Sequence, residues 1–147
     1  IRGSMAALML GVLLAQAPNA VAAEKGWLVS FEEAKAAAAK EKKTIFMEFT
    51  GSDWCPPCMA LEKTVLQHRL WTAFASEGLV IHICDFPINR GVNPETEREN
   101  DRLKASFGAQ NFPTQIILNG ETGKEIRRRV GYTRGSVTPY VAWARGH

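Results

Sequence analysis

Cys55 and Cys58 are separated by two residues in the run Trp54-Cys55-Pro56-Pro57-Cys58. Residues three apart share a helix face, so a helix starting at Cys55 would hold both thiols together. The positive end of a helix dipole favours a thiolate. Cys55 is therefore the expected nucleophile, and Cys58, deeper in the first turn, the thiol that releases a trapped partner. That is the chemistry of thiol–disulfide exchange. Two other uses of the pair stay open at this level: a static structural disulfide, and half of a zinc site. A closed structural zinc site takes four ligands. No second CxxC or HxxxH accompanies this one, and His68, His82, His147 and Cys84 stand apart in the chain. Met59 follows Cys58 where a haem-attachment motif would carry His. Neither a metal nor another cofactor is expected.

The elements around the pair fit that use. Residues 44–50, dense in β-branched and aromatic side chains, read as a strand running into the motif. After Cys55, the spacing of Met59, Leu61, Leu66, Leu70 and Phe74 predicts one helix, bent near His68, with Pro56 and Pro57 in its first turn. Upstream, Ser30-Phe31-Glu32-Glu33 is a capping box that starts an alanine-rich helix. Residues 79–84 form a second apolar run of the kind buried in a parallel sheet. A polar loop follows, then a surface helix that opens at Asn93-Pro94-Glu95 and stops at Gly108. Phe112-Pro113-Thr114 introduces a strand at 115–118, turned back through 119–123 into 126–130. Ser136 is placed to cap a last helix whose Val137, Tyr140, Val141 and Ala144 face the core. The order is α-β-α-β-α-β-β-α.

With CxxC between the first strand and its helix, the chain resembles the thioredoxin superfamily over about residues 28–146. Within it, the phrases 49–55 and Asp85-Phe86-Pro87 resemble the exported DsbH-type thiol–disulfide oxidoreductases. The resemblance implies an α/β thioredoxin fold, a central mixed β-sheet flanked by helices. It implies that Pro113 forms the cis-proline loop, with Phe112 and Thr114 beside it receiving an extended substrate strand through backbone hydrogen bonds. It implies that Glu48 matches the family's buried acid, passing a proton to or from Cys58; the alternative is a surface or ion-paired carboxylate. Trp54 is expected to pack over the motif. Cys84 reads as a buried apolar residue on a strand face shared with Val80 and His82. The arginines at 127–129 read as charges guarding an edge strand.

The compartment follows from the N-terminus. Residues 1–4 resemble a vector-derived scar, and the apolar run 6–15 with small residues up to Ala23 reads as a secretory signal. That run is shorter than the roughly 20 residues a spanning helix needs. Residues 1–23 are thus expected to be scar and signal, and 24–147 one thioredoxin-like domain, exported or periplasmic. Removing residues 1–23 takes one basic residue from a net charge of +3, leaving +2, too little for a nucleic-acid partner. Disulfide-bearing exported proteins are the expected partners, with a membrane electron donor and a monomeric chain. Pro56 and Pro57 remove two backbone donors and supply no cation, so Cys55 should be only moderately acidic, as in a reductant or weak isomerase. Two alternatives accompany this reading: a dedicated reductant for cytochrome c maturation, and a non-catalytic peptide-binding module with a static CxxC.

Overall fold

The computed structural model of the protein describes residues 25–146, so the expected signal at 1–23 lies outside the described residues. Helix α1 spans Phe31–Glu41. Ser30 Oγ accepts from the Glu33 N–H at 3.4 Å, which is the Ser30 half of the capping box. The Phe31 N–H donates instead to Glu99, tying the helix start to a distant element. Strand β1, Thr44–Thr50, follows and is buried along nearly its whole length.

The single helix expected after Cys55 is in fact broken. Helix α2, Pro56–Leu61, passes into a π turn at Glu62–Leu66 and ends before α3, Arg69–Gly78. The Gln67 N–H reaches back five residues to Glu62 O at 3.0 Å, which is the wider π winding. His68 then adopts an extended backbone, and its Nδ1 accepts from the Leu70 N–H, so it caps α3. Each change of winding rotates the apolar face. Val65, Leu66 and Trp71 turn inward, while Met59 and Leu70, assigned to the core by the uniform-helix pattern, are 42% and 48% exposed.

Strand β2 covers Leu79–Asp85, helix α4 Pro94–Phe107, β3 Thr114–Leu118, β4 Glu125–Val130 and α5 Thr138–Arg145. Asn93 caps α4 and Gly108 closes it in the left-handed region at φ 61°, as the sequence pattern indicates. At α5 the N-cap position belongs to Val137. Ser136 sits one residue earlier, although its hydroxyl still accepts from the Thr138 N–H at 3.2 Å.

The sheet order is β2-β1-β3-β4. β1 runs parallel to β2 and antiparallel to β3, and β3 pairs antiparallel with β4, so the sheet is mixed. Leu28 adds a short parallel bridge beyond β2. Alternation along β1 divides the core. Ile45, Met47 and Phe49 pack with Ala34, Ala38 and Leu103 on one face. Phe46 packs with Leu61, Val65 and Trp71 on the other, under the helices that follow the motif. The β3–β4 turn lies against the end of α1, where a Cβ on Gly120 would overlap Lys43 O.

Candidate functional site

Cys55 is the N-cap residue of α2, and Cys55 and Cys58 are joined as a disulfide with their Cα atoms 5.2 Å apart. The Cys55 N–H donates to Gly51 O at 3.0 Å, and Cys55 O accepts from Met59 N–H at 3.0 Å, anchoring the turn on both sides. Pro56 and Pro57 occupy the first helical positions, where a missing N–H costs nothing. Cys58 is buried at 1% exposure, and Cys55 at 4% lines an open groove of about 580 Å³.

Aromatic rings furnish that groove. Trp54 and Phe112 lie 6.0 Å apart between centroids, and Phe112 stacks on Phe86 at 5.2 Å. The Trp54 indole N–H donates to Phe86 O at 2.7 Å, and the ring lies so close to Gly51 that a Cβ there would overlap it. Trp54 is 41% exposed and lines the groove next to Cys55. The loop after β2 is clamped by Asp53, whose carboxylate accepts from the Ile88 and Asn89 N–H groups at 3.0 and 2.8 Å. Burial pushes this carboxyl up, but those bonds and the Arg90 charge outweigh it and hold it below its ordinary range. The reach of Asp53 to residues 88 and 89 is a tertiary contact with no local signal in the sequence.

The Phe112–Pro113 peptide is cis, as the resemblance implied. Pro113 O accepts from the Gly131 N–H at 2.7 Å, joining the loop to the end of β4. Thr114 is buried and its hydroxyl donates to Asn111 O at 2.6 Å, so its side chain braces the loop instead of facing the groove. The structure therefore gathers Trp54, Cys55 and Phe112 at one surface and sets Thr114 behind it.

Glu48 lies in the core at 2% exposure, which disposes of the surface alternative. It shares the face of β1 that carries Phe46 and lines a cavity of about 260 Å³ together with Thr50, Glu62, Asp85 and Arg90. Burial raises its carboxyl well above the ordinary 4.5, the charges of Glu62 and Asp85 add to this, and Lys25 opposes it. Lys25 is paired with Glu62, and Arg90 with Asp85. Asp85 also accepts from the Ser52 N–H and hydroxyl, at 3.0 and 2.6 Å, so the end of β2 is fixed to the approach to the motif. The Ser52–Asp85–Arg90 network was not singled out from sequence, since its members meet only in the fold.

Cys84 is fully buried, 3.7 Å from His82 Nδ1, as the strand alternation suggested. Burial raises its thiol far above the ordinary value, with Glu99 and Glu48 adding to it. The three arginines do more than guard the edge. Arg127 donates to Trp143 O, Arg128 to Glu125 and to Phe107 O, and Arg129 lies 4.0 Å from the Tyr140 ring.

A mixed sheet with a CxxC disulfide at the junction of its first strand and the following helix, facing a cis-proline loop, defines the thioredoxin class. The thioredoxin-like family pattern matches residues 26–120, and the chain belongs to that family. Among curated relatives it is similar to the disulfide bond reductase DsbH of Chlamydia pneumoniae, 32% identical over 132 residues, covering 90% of this chain and 78% of that protein. It is also 27% identical over 102 residues to the thioredoxin-related protein DsbJ of Chlamydia pneumoniae, covering 69% of this chain but 29% of that longer one. Among solved structures, a DsbH oxidoreductase superposes with a TM-score of 0.74 at 31% identity, covering 81% of each chain. Among the described residues, no helix is long and apolar enough to cross a membrane.

Proposed function

We propose that this chain is an exported thiol–disulfide oxidoreductase that reduces, or reshuffles, the disulfides of other exported proteins. The observation that carries the reading is the Cys55–Cys58 disulfide at the head of α2, with Cys55 lining the same groove as Trp54 and Phe112. The likeness to a disulfide bond reductase over 90% of the chain supports the same direction.

In the reduced protein the Cys55 thiolate attacks one sulfur of a substrate disulfide. A Cys55–substrate bond forms, the substrate S–S bond breaks, and the departing thiolate takes up a proton. The substrate strand is held along Phe112-Pro113 with its side chains against the aromatic groove. Cys58 then gives its proton to the Glu48 carboxylate and attacks Cys55 Sγ, closing the internal disulfide and expelling the second substrate sulfur as a thiolate, which takes up a proton from solvent. Two electrons pass from the dithiol to the substrate, and a membrane-bound donor restores the dithiol. The chain acts as a monomer, freed of residues 1–23 on export.

The expected test is insulin reduction by the protein and its variants. Cys55→Ala loses all turnover, whereas Cys58→Ala accumulates mixed disulfides visible on a non-reducing gel. Full turnover by Cys55→Ala sinks the assignment. A reduction potential near the about −120 mV of DsbA, rather than toward the about −270 mV of thioredoxin, overturns the reducing direction.

A further inference from the structure

Two side-chain oxygens buried on directly opposed residues lack a hydrogen-bond partner: Glu48 Oε1 and Gln115 Oε1. Glu48 and Gln115 are register partners in the antiparallel β1–β3 pair. Their side chains therefore leave the sheet on one face, with Cβ atoms about 5 Å apart. Both residues are sealed from solvent, at 2% and 0% exposure. Gln115 has its amide orientation fixed, because Nε2 donates to Gly131 O at 3.3 Å and a carbonyl accepts only from the nitrogen. Its oxygen is left as an acceptor. An ionised carboxylate offers acceptors only, so an ionised Glu48 would set two orphan acceptors side by side, each stripped of water. A protonated carboxyl carries the single donor this pair lacks.

We propose that Gln115 is a positioning residue for Glu48: its side-chain oxygen accepts the hydrogen of the protonated carboxyl and holds the acid in one orientation on the sheet face that carries the disulfide helix. The inference rests on the proton-relay reading of Glu48 and names what accepts the hydrogen bond of the protonated acid. Cys58 loses its proton to Glu48, a Cys58 S–H bond breaks and a Glu48 O–H bond forms, and that new O–H finds its acceptor already in place. The cavity of about 260 Å³ beside Glu48 gives the proton a way out afterwards. The charged groups around that cavity come from several elements. Glu62 of the π turn and Asp85 at the end of β2 favour the neutral acid, and Lys25 before α1 opposes it. Arg90, bound to Asp85, and Asp53 also line it.

The test compares the pH dependence of unfolding in the full chain with that of Glu48→Gln, Gln115→Met and the double variant. The difference between backgrounds reads the ionisation of Glu48 in the folded protein. Gln115→Met keeps the volume and deletes the acceptor, and it is expected to lower the proton affinity of Glu48 about ten-fold. Gln115→Asn keeps an amide but retracts it by one methylene, and a smaller shift in the same direction is expected. The corresponding arm of the pH–rate profile for disulfide exchange moves with the ionisation. Glu48 ionising unchanged in the folded Gln115 variants overturns the proposal, as does ionisation of wild-type Glu48 in the ordinary carboxylate range. Should Gln115→Met fail to fold, Gln115→Asn gives the same reading. The unfolding measurement needs no disulfide exchange, so it decides this point even for a protein that fails the insulin assay.

Discussion

Cys55 and Cys58 are buried at 4% and 1%, and Cys84 at 0%, yet the first two sit at a reactive surface and the third in sealed core. Cys55 lies at the head of a helix, beside an open groove, and is bonded to a second sulfur one turn on. Cys84 lies near the end of β2 among Val80, Phe49 and Ala34, next to an imidazole that burial holds neutral. Exposure does not separate these sulfurs. What separates them is which groups can stabilise a thiolate and whether a second disulfide can approach along a line of attack.

The sharpest way to break the comparison is to exchange the roles by mutation. Cys55→Ala is expected to remove all disulfide exchange, while Cys84→Ala leaves the rate intact. Turnover lost in a folded Cys84→Ala protein breaks the contrast. Next in size, Glu48→Gln is expected to slow closure of the internal disulfide about a hundred-fold, read by stopped-flow decay of the mixed disulfide, because on the proposed relay the Cys58 thiol loses its proton acceptor. The same variant alters stability with a definite sign. Folded Glu48 holds its proton above the ordinary 4.5, so wild-type stability falls as pH rises from 4.5 toward the folded value. Glu48→Gln escapes that fall.

His82 moves the other way. Burial lowers its ring from 6.5 to about 4, and a Val29 backbone group opposes this. Its contribution is present above pH 6.5 and lost as pH drops to about 4. The loss amounts to about 3 kcal/mol of unfolding free energy at the acid end. His82→Phe should flatten that acid limb in a urea titration; an unchanged limb would show that the ring is charged in the fold. The smallest expected effect is thermodynamic: Cys84→Ala should cost about 1 kcal/mol, the loss of one small apolar group from packed core. In the reduced wild-type protein, alkylation near neutral pH should mark Cys55 at once and Cys84 only on unfolding.

Much of this was legible in the sequence because it is local. Strand periodicity, the proline–glycine punctuation of α4 and the CxxC spacing each depend on residues within a few positions, and the fold follows from their order. The π turn was not legible, since Leu61, Val65, Leu66 and Trp71 place apolar groups as well as a straight helix would over that short span. Only the packing against Phe46 decides which winding buries them. Glu48 shows the same limit. Alternation says which face it takes, but the sealed Gln115 opposite it and the Lys25–Glu62 pair beyond it belong to other parts of the chain. The clamp from Asp53 to the loop at 88–89 and the bonds from Ser52 to Asp85 are equally non-local.

That Asp53 clamp bears on how long a partner stays. The loop it holds is one wall of the groove beside Cys55, and the wall stands in place before anything binds. Ordering a free side chain on association costs about 0.5–1.5 kcal/mol. A wall already ordered spares the partner that loss, so contact area can be small without recognition becoming indiscriminate. Small contact area also means quick departure once the covalent tether is cut. On the proposed reducing cycle, in which each reduced substrate has to leave before the dithiol is restored, a wall fixed in advance shortens the idle part of the cycle.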